Sequence, residues 1–215
     1  MNNLTKRILS SIILLPLAIY IIIQGSFVLL FFTIICFFTS CYEWNMMTKN
    51  VYLKFFGFVF LIVSLYTFYK LSINGYEVFI VILICVSTDV GGYVFGKLLQ
   101  GPKLTKISPN KTYAGMIGGY LLSIASLTIV LNIIDIKTSY FQFFIIIILI
   151  STVSQLGDII ISYFKRLSKI KNTGKLIPGH GGLLDRIDGM IFAFPIFYLI
   201  SLEGYKIIWK KKLLY

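Results

Sequence analysis

Apolar residues come in runs of about 20 along this chain, the length that carries an α-helix across a bilayer. The runs fall near 8–23, 26–42, 51–69, 76–96, 114–134, 139–164 and 188–205. Backbone in hydrocarbon must satisfy its own N–H and C=O groups, so such runs can only be helices. The expected fold is all-α: a polytopic integral membrane protein of about seven transmembrane helices. The first two runs are separated only by Gln24 and Gly25 and suit a tight helical hairpin. Lys6 and Arg7 precede the first run as in a signal peptide. No small-residue cleavage site follows, so a retained helix is expected.

Charge narrows the class further. Charged residues are 13% of the chain and hydrophobic residues 58%, against about 25% charged in soluble domains. That excludes a soluble enzyme, a disordered tail and a nucleic-acid-binding domain. Twenty Lys and Arg face eight Asp and Glu, a net charge of +12. On so apolar a chain the excess marks cytoplasmic loops and anionic substrates. Two polar segments, 97–113 and 165–187, hold ten of the 20 basic residues. With the N-terminus inside, both face the cytoplasm, while Lys70 and Lys137 fall outside. Seven crossings put Lys206 and Lys210–Lys212 outside as well, against the rule. Either one run is miscounted or the last does not cross. The chain divides into N-terminal helices, 1–70, and a region carrying both polar segments, 71–215. Cys36, Cys41 and Cys85 lie in apolar runs without metal-like spacing and read as small hydrophobes.

The carboxylates carry the functional signal. Asp89 and Asp158 lie in or at the ends of apolar runs, where an Asp costs about 2.5–3.5 kcal/mol. A neighbouring Lys could offset that cost structurally; a metal or proton site in a polar cleft would offset it functionally. Ser154, Asp158, Ser162 and Lys165/Arg166 fall on one helical stripe, as do Asp89, Tyr93 and Lys97. Gly92 and Gly96, beside the second stripe, permit close helix approach. Asp185 and Asp188 follow Gly181-Gly182. A helix starting there would project both carboxylates from its first turns and offer free N–H groups to phosphate. Such a pair beside a cationic loop suits a Mg²⁺–phosphate site. His180 sits in a Gly-rich turn flanked by Lys171, Lys175 and Arg186. It reads as a phosphate contact or as a loop-structuring residue. Ser108 and Thr112 can cap helices; Lys106 and Lys111 can bind phosphate or simply mark the inner face. Glu43-Trp44 is expected at a membrane interface.

At these residues the chain resembles the phosphatidate cytidylyltransferase (CDP-diacylglycerol synthase) family. Ser162, Lys165-Arg166, Lys171, Gly174, Pro178, His180-Gly181-Gly182, Asp185-Arg186 and Asp188 stand in the family's signature register. STDVGGYVFGK (87–97), ISPNKT (107–112) and Gln155-Leu156-Gly157-Asp158 resemble its central region, so the likeness covers about 87–188, and the N-terminal half resembles the family only in hydropathy and in the Glu43-Trp44 pair. Asn172 stands where the family usually has Asp, and Ala114 where it usually has Glu. The resemblance implies transfer of CMP from CTP to phosphatidic acid, giving CDP-diacylglycerol and pyrophosphate, with Mg²⁺. It implies Asp158 and Asp185 as metal ligands, and Asp188 and Asp89 as further ligands or their supports. Lys165, Arg166, Lys171, His180 and Arg186 would hold the two substrates' phosphates, with Ser108, Lys111, Gly181 and Gly182 lining the same site. The expected setting is a bacterial inner membrane with the polar cleft facing the cytoplasm, among membrane lipids, with room for a homodimer and no nucleic-acid partner. The alternatives are a CTP-dependent polyprenol kinase and, from another class, an ion-coupled transporter. A transporter would carry an internal repeat, and the sequence shows none. A CDP-alcohol phosphotransferase is excluded because its longer Asp-Gly…Ala-Arg…Gly…Asp…Asp pattern is absent.

Overall fold

A computed structural model of the chain describes residues 13, 16–73, 75–133, 140–177 and 181–202. A helical run, α1, covers residues 16–24. It is followed by α2 (Ser26–Met47), α3 (Val51–Ile73), α4 (Tyr76–Leu99), α5 (Tyr113–Ile133), α6 (Tyr140–Leu167), α7 (Leu184–Ile187) and α8 (Met190–Ile200). Helices α2 to α6 are each long and apolar enough to cross a membrane. Large side chains along them face outward, among them Phe27, Phe38, Tyr52, Phe56, Leu121 and Phe141. An apolar exterior of this extent belongs in lipid, and the chain is an integral membrane protein. Among the described residues there are five such helices, plus the shorter apolar α8. Residues 8–12, 14 and 15 of the first expected run, and the basic tail from 203 onward, lie outside the described residues.

Both polar segments are shorter as loops than as sequence. Lys97 lies in the last turn of α4, and Lys165 and Arg166 lie in the last turn of α6. Cations there suit the partial negative charge of a helix C-terminus.

The closest packing is α4 against α5, and glycine makes it so. A Cβ on Gly91 would lie 2.4 Å from the Gly118 carbonyl oxygen, and one on Gly115 would lie 2.6 Å from that of Gly92. Gly96 packs on Gly115 as well, so the spacing of Gly92 and Gly96 does mark a helix contact. Hydroxyls link these helices to α6 inside the membrane. Thr88 Oγ1 donates to Ser151 Oγ at 2.8 Å, and Tyr120 and Thr152 share a hydrogen bond of 2.8 Å.

Two apolar clusters form the interior. The larger joins Phe68, Leu71, Val81, Ile84, Leu127, Ile150 and Phe194. The smaller joins Trp44, Met47, Leu61, Ile161, Leu184 and Ile191 at the end where the polar loops gather. Cys36 and Cys85 are buried, Cys41 is half-buried, and all three are free thiols, as expected of small hydrophobes.

Candidate active site

The up-and-down path brings the C-terminal ends of α2, α4 and α6 together with the loops that precede α5 and α7. Five of the eight acidic residues lie there: Glu43, Asp89, Asp158, Asp185 and Asp188. The stripe on α6 exists as the spacing requires: Ser162 Oγ donates to Asp158 Oδ1 at 3.3 Å. Across from it, the loop before α5 delivers Lys111. Its backbone N–H bonds to the Ser108 carbonyl at 3.0 Å, Leu104 N–H bonds to the Lys111 carbonyl at 2.7 Å, and Lys103 bridges Thr112. Thr112 Oγ1 caps α5 by accepting from Gly115 N–H at 3.0 Å. Held in this turn, Lys111 Nζ lies 2.5 Å from Asp158 Oδ2, with both side chains about a quarter exposed (25% and 28%). Asp89 is exposed on α4, with Lys97 over the Tyr93 ring beyond it.

A second ion pair lies deeper. Lys165 Nζ meets Asp185 Oδ1 at 2.9 Å, with side chains only 11% and 5% exposed. Asp185 Oδ2 accepts from Thr173 N–H at 2.8 Å and from Gly182 N–H at 3.1 Å. Asp188 Oδ1 accepts from Gly189 N–H at 2.9 Å, closing the turn between α7 and α8. Asp158 acts electrostatically on both Asp89 and Asp188; Lys111 and Arg186 act on Asp89, and Lys165 acts on Asp188. Three carboxylates and three cations therefore share one field. Arg166, Lys171 and Arg186 are exposed around it. His180 lies outside the described residues.

Two expectations change. The sequence reading places Glu43-Trp44 at the membrane interface; in the structure both are buried, Glu43 to 1% and Trp44 to 6% exposure. Trp44 donates its indole N–H to the Leu53 carbonyl at 3.2 Å and stacks edge-on against Phe164. Glu43 reaches the signature loop: its Oε1 accepts from Leu183 N–H and its Oε2 from Leu184 N–H and Thr173 Oγ1, all at 2.8 Å. The N–H groups expected to bind phosphate at the start of α7 are thus taken by this chain's own carboxylates. An internal anion wins because it is tethered and needs no recruitment from solution. Gly182 fits the same picture. A Cβ there would lie 2.2 Å from Thr173 Oγ1 and 2.3 Å from Glu43 Oε2, so its missing side chain admits Glu43. The sequence signal for Glu43 is the family-like Glu43-Trp44 pair at the end of the apolar run 26–42; what it does not reveal is the distant loop that the carboxylate reaches.

The donor set fits a hard divalent cation. It is all oxygen, and Mg²⁺ uses one or two carboxylates and completes its shell with water and substrate phosphate. Among the described residues no three His, Cys, Asp or Glu side chains form a ready-made cage, so a metal here would complete its shell with water or phosphate oxygens.

A family model described as the cytidylyltransferase family matches residues 50–202. The chain belongs to that family. It is 35% identical over 211 residues to a phosphatidate cytidylyltransferase of Rickettsia bellii, covering 93% of this chain and 91% of that protein. A second, from Rickettsia typhi, is 33% identical over 94% of this chain and 93% of its own length. One from Staphylococcus saprophyticus is 38% identical over 54% of this chain and 45% of its own length. The family match spans both ion pairs, the α4–α5 glycine seam and α8. Glu43 falls just before the matched residues, although the Glu43-Trp44 pair is itself part of the chain's resemblance to cytidylyltransferases.

Proposed function

We propose that this chain transfers CMP from CTP to phosphatidic acid, giving CDP-diacylglycerol and pyrophosphate. The observation that carries the choice of substrates is the near full-length similarity to enzymes named phosphatidate cytidylyltransferase. The geometry supports it. A lipid phosphate comes from the bilayer and a nucleotide from water, so their site belongs where membrane-length helices end in charged loops.

An oxygen of the lipid phosphate attacks the α-phosphorus of CTP. The new P–O bond forms as the bond to the β-phosphate breaks, and pyrophosphate leaves with that electron pair. No protein nucleophile is needed; placement and charge stabilisation supply the rate. Lys111, Lys165, Arg166, Lys171 and Arg186 neutralise the two substrates' phosphates, with Ser108, and His180 outside the described residues, as further candidates. When bound, Mg²⁺ supplies Lewis-acid polarisation of the phosphoryl oxygens. Asp89, Asp158 and Asp188 are its proposed oxygen donors. Asp185 is nearly closed to water, holds two backbone N–H groups as well as Lys165, and contributes by fixing Lys165. Lys111 pairs with Asp158; were Asp158 to hold a cation, Lys111 would be free to neutralise a substrate phosphate.

The loops at 97–113 and 165–187 face the cytoplasm of a bacterial inner membrane on this reading. Purified protein given phosphatidic acid, Mg²⁺ and CTP labelled at the α- or γ-phosphate tests the reaction. Label from the α-position should enter the lipid. Entry of γ-label alone would mark a kinase, and no entry of either would overturn the proposal. Single cysteines in each loop, labelled from either side of sealed vesicles, test the orientation. Modification of either loop only from outside breaks it.

A further inference from the structure

We propose that Glu43 is a positioning residue for this site, setting Asp185 and Lys165 through the neck of the loop they share. The proposal rests on the nucleotidyl-transfer reading above. Glu43 stands on α2, at least 130 residues before any of its partners. Its carboxylate is buried, and its hydrogen-bond donors among the described residues are all neutral: one hydroxyl and two backbone N–H groups. Burying a charge is costly unless it is fully hydrogen-bonded. A neutral cap would suffice if only one N–H needed a partner, but here both oxygens must accept.

Both sides of the neck converge on two carboxylates. Thr173 gives its N–H to Asp185 and its hydroxyl to Glu43. Opposite, Gly182 gives its N–H to Asp185, while Leu183 and Leu184 give theirs to Glu43. Gly174 and Gly182 close over the carboxylate: a Cβ on either would lie within 2.7 Å of a Glu43 oxygen. Beyond the neck, Ile177 and Gly181 pair as an antiparallel bridge. The clamp leads to the chemistry through Asp185, whose other oxygen fixes Lys165 at 2.9 Å. Lys165 in turn lies two helical turns beyond Asp158 on the same face of α6.

Glu43→Gln keeps size but sets an amide N–H₂ against at least one of the three donors. The expected result is a folded protein whose kcat falls roughly 100-fold, as for a displacement of about 1 Å at catalytic groups. Its KM for phosphatidic acid should stay within about threefold, since Lys111, Arg166 and Arg186 still bind the phosphates in the ground state. Trypsin should cut at Lys169, Lys171 and Lys175 roughly tenfold faster, because the neck opens more often. Thr173→Val removes one donor to Glu43 and should do the same more weakly. The double variant should be no worse than Glu43→Gln alone, because both act on one clamp. Additive losses overturn the proposal. So does a Glu43→Gln protein of lower yield but with wild-type kcat per folded molecule. If Glu43→Gln does not fold, Thr173→Val decides. If the wild-type protein makes no CDP-lipid, the reaction assignment fails while the trypsin comparison still judges the clamp, and an unchanged cleavage rate rejects it.

Discussion

The two ion pairs are built from the same residue types and differ in what surrounds them. Lys111–Asp158 is about a quarter exposed and joins a loop to a helix. Lys165–Asp185 is almost closed to water, and its carboxylate also holds two backbone N–H groups. A partly solvated pair contributes little, because water competes for both charges. A buried pair is costly to break from one side, because the remaining charge has no partner. The first is therefore suited to open for a ligand, and the second to hold the site's shape.

The sharpest test of that contrast is Asp185→Asn. It strands the buried Lys165 and should destabilise the protein by about 3–5 kcal/mol, with activity lost as well. Thermal unfolding in detergent measures it; a loss below about 1 kcal/mol would erase the distinction between the pairs. Gly101→Ala probes the start of the Lys111 loop. Gly101 has φ +103° and open space where a Cβ would stand, so the cost is backbone strain alone, about 1–2 kcal/mol. Turnover should fall with it if the loop delivers Lys111, and normal turnover at reduced stability would separate the two. Asp158→Asn should change stability by less than about 1 kcal/mol yet abolish CDP-lipid formation and the Mg²⁺ dependence of nucleotide binding. Near-normal turnover refutes a metal role for Asp158, and loss of fold would make this pair as structural as the other. The smallest effect is expected at Asn172, which is exposed beside Gly181. Asn172→Asp should shift stability by no more than about 0.5 kcal/mol and change turnover modestly. A rise by orders of magnitude would mean that this position does more than shape the loop.

The polar stripes were legible for a simple reason. Helical spacing fixes which residues share a face, so Ser162 and Asp158 meet whatever else the fold does. The glycine seam followed from the same logic, since Gly92 and Gly96 could only face a close neighbour. The ion pairs were half-legible: a buried Asp demands compensation, but spacing alone does not say which Lys supplies it. Lys111 and Lys165 are separated from their partners by 47 and 20 residues, as Lys111–Asp158 and Lys165–Asp185.

The amino-acid sequence by itself determined that this chain is a helical membrane protein whose carboxylates and lysines gather at the ends of its helices. Hydropathy and helical period act locally, so neighbours along the chain are enough to establish that much. Only the tertiary structure decided which anion fills the start of α7. The local pattern offers free N–H groups to any phosphate; the fold brings Glu43 across from α2 and fills them. Hydrogen bonds between distant segments depend on how whole helices pack, and no short-range pattern records that.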